Sequence, residues 1–250
     1  MKDEPIISGE KMTKYNIALL QLKTTSNYQK NLDVLVEHIK AHQEKDLIVA
    51  PEVYLTGYDY ENFEASLAFY EKAMEVLLPL IGEQILVFTI VRRENGQKVN
   101  QAVMIHNHEV VYKQNKYKLF HVGDEDKYFD AGEKSSIEKF TINGVTYGVL
   151  ICFELRFKEL WKEMEGVDIF LLPAMWGKPR KNHLEMLSQA FAIMNQCYVL
   201  VCNSANDDMA SSSAIIHPWG EVTMNDVLEV IEESIDLSEV KKTRRLIPMR

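Results

Sequence analysis

Five short, almost wholly apolar runs constrain this chain most: residues 46–50 (DLIVA), 85–91 (ILVFTIV), 145–152 (VTYGVLIC), 168–173 (DIFLLP) and 197–203 (CYVLVCN). Runs of this length read as strands covered on both faces, because a half-exposed strand would alternate apolar with polar residues. A chain with several such strands must supply cover. Amphipathic segments between them do so. Residues 31–44 place Leu32, Leu35 and Ile39 on one helical face, with Val34 beside them, and residues 61–78 space Phe63, Leu67, Tyr70, Met74 and Leu77 in the same way. Residues 157–164 and 182–196 are further predicted helices, and residues 15–22 (YNIALLQL) a further strand.

The middle of the chain reads as hairpins. Residues 99–106 and 109–113 flank Asn107-His108, and residues 137–142 and 145–152 flank Asn143-Gly144, a pair that tolerates positive φ. Residues 214–217 and 221–224 surround a Pro218-Trp219-Gly220 turn, and residues 227–235 form the last predicted strand. Alternating strands and helices at both ends, with hairpins between, imply an α/β fold built on mixed sheets. Its 250 residues, 46% of them hydrophobic, suit one sizeable domain, and no linker-like stretch divides them. The expected domain covers residues 15–240, between a polar lead-in (1–14) and a basic tail (241–250).

Charge narrows the function. Twenty-eight Lys and Arg against 37 Asp and Glu give a net −9, which argues against general affinity for nucleic acid. No apolar run approaches a membrane span, and the lead-in lacks the apolar core of a secretion signal. Three cysteines, Cys152, Cys197 and Cys202, fit a reducing compartment better than a disulfide framework, so the cytoplasm is the expected location. Acidic residues crowd 221–240 and basic ones 241–250, a segregation that favours pairing within the chain or with a partner subunit.

Three residues stand where chemistry could sit. Cys152 closes an apolar strand and is either core ballast or a nucleophile at the strand's carboxyl end. Glu52 follows another such strand in IVAPEVYLTGY, so its carboxylate must enter a pocket, pair, or point to water. Lys116, with Lys113 and Lys118, reads equally as an ordinary basic edge. Cys197 and Cys202 read as core. There is no HExxH, no Cys-x-x-Cys and no phosphate-binding glycine loop, and no metal or other cofactor is expected.

What joins these residues is a resemblance. PEVYLTGYDY around Glu52, NKYKLF around Lys116 and LICFELRFKEL around Cys152 resemble the motifs of the nitrilase superfamily of carbon–nitrogen hydrolases. LLPAMWGKPRKNHLEML, AFAIMNQCYVLVCNSA and SSSAIIHPWGEV follow in the family's order. The resemblance implies a four-layer α-β-β-α sandwich, with Glu52 as general base, Lys116 as the triad lysine and Cys152 as nucleophile. It implies a second acid at Glu125, with Asp126 the competing register, and dimerisation. Tyr58, Tyr60, Phe153, Trp176 and Asn203 fall at its pocket positions. Two residues depart from the pattern: Lys118 where the family often has His, and Met194 where it often has Glu.

The implied reaction is hydrolysis of a small linear amide through a thioester on Cys152, with Lys116 favouring the thiolate and, together with the Phe153 N–H, holding the oxyanion. A monoamide of a short carboxylic or dicarboxylic acid is the first expected substrate, a carbamoyl compound the second and a nitrile the third. Arg156 and Arg180 are candidates to face a substrate carboxylate, or else to pair with neighbouring acids. An inactive binding or assembly protein on the same fold is the alternative from outside enzymology.

Overall fold

The computed structural model describes residues 14–249, so the lead-in, apart from Lys14, lies outside the described residues. Two six-stranded mixed sheets form its centre. In the first, β1 (Lys14–Leu20), β2 (Leu47–Val49) and β3 (Ile85–Glu94) are parallel, while β4 (Gln97–His106), β5 (Glu109–Asn115) and, at the far edge, β12 (Val230–Asp236) add antiparallel pairings. The second sheet repeats the plan. There β7 (Val145–Val149), β8 (Ile169–Ala174) and β9 (Tyr198–Asn203) are parallel, flanked by β6 (Phe140–Ile142) on one side and β10 (Ala214–Ile216) with β11 (Val222–Met224) on the other.

The period of two in each strand explains the layering. Along β1, Tyr15, Ile17 and Leu19 turn toward the second sheet, while Ala18 and Leu20 join the cluster under α1 (Tyr28–Ala41) and α2 (Phe63–Leu80). The predicted helical stripe of Leu32, Leu35 and Ile39 is fully used, each residue buried and contributing about 2 kcal/mol by its removal from water. On the far side, Phe170 of β8 stacks on Phe191 of α5 (Lys181–Asn195) at 3.9 Å, and Trp161 of α4 (Lys158–Glu163) meets the same ring at 5.2 Å. Between the sheets, Tyr15 and Tyr147 join hydroxyls at 2.6 Å. The result is the four-layer α-β-β-α sandwich.

Turn chemistry was the most legible local feature. Asn107 and His108 have φ of 49° and 63°, and Asn143 and Gly144 of 50° and 78°, the conformations a tight hairpin needs. Sequence reading missed a third hairpin. Asn95-Gly96, with φ of 50° and 83°, turns β3 into β4, so β3 continues past Val91 to Glu94. The charged end of that strand (Arg92, Arg93, Glu94) hid its continuation. Residues 241–246 of the tail lie in a helix, α6 (Ser238–Leu246), whose Val240 and Thr243 are buried, and Arg250 lies outside the described residues. Lys242 pairs with Asp236 at 3.5 Å, and Arg244 pairs with Asp168 at 3.6 Å and donates to the Val167 carbonyl.

Candidate active site

Parallel strands leave a crevice at their carboxyl ends, and the two sheets put theirs together. Glu52 lies just beyond β2 and Cys152 just beyond β7, while Lys116 follows β5 directly. Both turns are strained. Cys152 has φ +52°, and Val53, a β-branched residue for which positive φ is costly, has +45°. The surroundings impose this geometry: the Val53 N–H donates to Thr89 Oγ1 at 2.6 Å, and the Val53 carbonyl accepts from Gly57 at 2.7 Å.

Lys116 is buried, and its ammonium donates to Glu52 Oε1 at 2.7 Å and to Glu125 Oε1 at 2.7 Å. Its third contact is the Tyr58 hydroxyl at 3.2 Å. Burial works against this cation, but the two carboxylates more than reverse the effect, and its pKa is raised. Glu52 Oε1 also accepts from the Tyr58 hydroxyl at 2.6 Å and from Asn100 Nδ2 at 2.9 Å. Its other oxygen, Oε2, is buried with no hydrogen-bond partner among the described residues. That oxygen remains as a proton acceptor in the cavity that Glu52 shares with Cys152.

Burial, and then the Glu52 carboxylate, push the Cys152 thiol well above its usual pKa, and Lys116 only partly opposes them. Both influences favour the thiol form. The Met175 N–H approaches Cys152 Sγ at 3.5 Å.

The cavity holds about 280 Å³ and is walled by Tyr58, Tyr60, Phe120, Phe153 and Trp176, with Arg156 and Arg180 also on its lining. Of the pocket residues expected from sequence, Asn203 alone stands apart. It is fully buried, accepts from the Trp176 N–H at 2.8 Å, and donates to the Trp176 and Ser211 carbonyls at 3.3 and 2.8 Å. It braces the wall from behind. Glu125, which opens α3 (Glu125–Tyr128), meets Lys116, and Asp126 does not; Asp126 pairs with His121 at 3.0 Å near the surface.

The carbon-nitrogen hydrolase family model matches residues 16–245 of this chain. The chain belongs to that family. This hydrolase is similar to the 2-oxoglutaramate amidase of Bacillus subtilis, 29% identical over 94% of this chain and 96% of that one. It is also similar to an omega-amidase of Escherichia coli K12, 30% identical over 71% of each chain. Among solved structures, Saccharomyces cerevisiae Nit3 of the nitrilase superfamily matches with a TM-score of 0.83 at 21% identity, covering 95% of each chain. A Nesterenkonia amidase, whose structure shows covalent addition of the acetamide moiety of fluoroacetamide at its active-site cysteine, matches at 0.77 and 18%, over 93% of this hydrolase and 94% of that amidase. The hydrolase is an enzyme of the nitrilase superfamily related to its amidase branches, with amidase chemistry through a cysteine nucleophile.

The two departures from the family pattern lie away from the chemistry. The Lys118 ammonium points to Glu159 at 3.8 Å and lies over the rings of Tyr117 and Phe157, off the cavity lining. Met194 is 56% exposed on α5. Sequence reading passed over two residues that matter to the site. One is Asn100, set on β4 opposite the lysine loop; the other is Glu154, two residues past the cysteine. Glu154 carried a signal, an acid next to an apolar strand end, the same kind of signal that singled out Glu52.

Proposed function

We propose that this hydrolase cleaves the terminal amide of a short dicarboxylic acid monoamide to the diacid and ammonia. The observation that carries the reading is a pair of cations on the cavity lining. The Arg156 guanidinium lies 4.5 Å above the Trp176 ring and the Arg180 guanidinium 4.7 Å above Phe120. Neither meets a carboxylate among the described residues. Burial, and then Arg180, lower the pKa of Arg156, so an anionic guest would relieve both cations. The similarity to a 2-oxoglutaramate amidase and to an omega-amidase supports the reading.

In the proposed reaction the amide carbon sits over Cys152 while the far carboxylate lies on the arginine pair. Glu52 takes the thiol proton as sulfur bonds to carbon. Lys116, turning its third N–H from Tyr58, and the Phe153 N–H hold the oxyanion; Phe153 lies in the first turn of a 3-10 helix (Cys152–Arg156), where leading N–H groups have no acceptor within the helix. Collapse breaks the carbon–nitrogen bond, Glu52 returns the proton to departing ammonia, and a thioester remains. Water, deprotonated by Glu52, then releases the acid and restores the thiol. Glu125 keeps Lys116 charged and in place.

We place the enzyme in the cytoplasm, in keeping with its three buried, unbridged cysteines. We also propose a homodimer, which light scattering in solution checks. The decisive assay compares ammonia release from dicarboxylate monoamides, neutral amides of equal length, carbamoyl compounds and nitriles. Monoamides should lead, and Cys152→Ala should lose at least about a thousandfold while remaining folded. Equal or better turnover of neutral amides would sink the substrate assignment; normal turnover by Cys152→Ala would sink the nucleophile.

A further inference from the structure

Glu154 is a buried, titratable group that the reaction above does not use. Its side chain is 0% exposed, and its oxygens reach both halves of the site. Oε1 accepts from the Tyr117 N–H at 2.6 Å and the Lys118 N–H at 3.2 Å; Oε2 accepts from the Ile151 N–H at 2.6 Å. Tyr117 and Lys118 immediately follow Lys116, and Ile151 immediately precedes Cys152. The turn carrying Glu154 is itself fixed, by Glu154 N–H to the Ile151 carbonyl at 3.1 Å and Phe157 N–H to the Glu154 carbonyl at 3.0 Å.

We propose that Glu154 is a positioning residue whose carboxylate holds the Lys116 loop in register with the Cys152 turn. The proposal rests on Cys152 as the nucleophile. Those two segments come from different sheets, β5 in the first and β7 in the second, so strand pairing within one sheet does not set their separation. A carboxylate suits the task because it only accepts. All three facing groups are donors. A glutamine in the same place has one accepting oxygen, so whichever way its amide turns, an NH2 meets either Ile151 or the Tyr117–Lys118 pair. One half of the tie is then lost. Displacement of the lysine relative to sulfur by a fraction of an ångström weakens both oxyanion stabilisation and the path of the thiol proton.

The test compares wild type, Glu154→Gln and Glu154→Asp with two readouts. One is kcat and KM for ammonia release, per active site titrated, which removes any unfolded fraction. The other is alkylation of Cys152 by chloroacetamide: sulfur bonds to the methylene carbon, chloride leaves, and the thiol proton passes through Glu52 to solvent. Folded Glu154→Gln is expected to lose roughly ten- to a hundredfold in kcat with KM changed less than about threefold, and to alkylate at least roughly tenfold more slowly. Glu154→Asp keeps both accepting oxygens on a shorter arm and should lose only about two- to fivefold in each. Wild-type values in Glu154→Gln overturn the proposal, as does Glu154→Asp falling as far as Glu154→Gln, which would assign the effect to side-chain volume. If Glu154→Gln does not fold, a wild-type rate in Glu154→Asp overturns it and the two- to fivefold loss sustains it. Should the wild type release no ammonia from any amide, the proposed function fails, while the alkylation comparison still decides the role of Glu154.

Discussion

Lys116 Nζ and Glu52 Oε1 stand 2.7 Å apart across 64 positions of sequence, with both side chains fully buried. Such a pair is costly to desolvate and strongly coupled once formed. Glu125, also 2.7 Å from the ammonium, completes a buried trio, and Tyr58 and Asn100 donate to Glu52 from its other sides. The two carboxylates outweigh burial and favour the charged lysine.

Removing the cation should expose that coupling. Lys116→Met leaves two buried carboxylates facing each other and is expected to cost about 3–5 kcal/mol in stability at neutral pH, with turnover lost. Urea unfolding of the variant beside wild type checks the size, and ammonia release checks the loss of turnover.

The arginine pair predicts a split in kinetics. Arg156→Leu or Arg180→Leu should raise KM for a carboxylate-bearing amide roughly ten- to a hundredfold, the range expected from losing charged hydrogen bonds. A neutral amide of equal length should be affected little. Steady-state kinetics with the two substrates side by side measure the difference, and added salt should weaken binding only of the charged one.

Gly132 sits where a side chain has no room. A Cβ there would come within 2.4 Å of the Asn115 carbonyl oxygen, and the Gly132 N–H donates to the Lys116 carbonyl at 2.8 Å. Backbone cannot yield as a flexible side chain can. Gly132→Ala should cost about 1–3 kcal/mol and lower kcat by shifting the lysine loop. Gly82→Ala, with nothing within 4 Å, should leave activity unchanged. Thermal unfolding and ammonia release on both variants provide the comparison.

Activity and stability should move in opposite directions through Glu154. Burial pushes its carboxyl from 4.5 up to about 7, against the pull of the Ile151 and Tyr117 N–H groups and the Lys116 ammonium; the Tyr112 phenol is the other titratable group that feels it. With the folded value above the unfolded one, the folded state binds the extra proton between these limits. Wild-type stability relative to Glu154→Gln should thus rise as pH falls from about 7.5 to 5, by at most about 3 kcal/mol. The protonated carboxyl gives up an acceptor to a site made of donors, so kcat should fall over the same range with a midpoint near 7. Paired urea melts and pH–rate profiles test both limbs.

By itself the sequence determined the parts that depend on neighbours along the chain. Apolar runs became strands because nothing in them suits water, the stripe of α1 became a buried face, and the Asn-His and Asn-Gly pairs became hairpin turns because they accept positive φ. Glu52, Lys116 and Cys152 stood out as chemistry-bearing groups at strand ends and in recognisable motifs. Only the tertiary structure decided what each of them meets. It selected Glu125 over Asp126, since a carboxylate one residue along a helix points to another side. It turned Asn203 into a brace, drew Asn100 and Glu154 into the site, and left two arginines facing a cavity. It also set the direction in which the Cys152 thiol is pushed. A thiol's pKa depends on how much water is removed and which charges surround it, and both are properties of packing between the sheets.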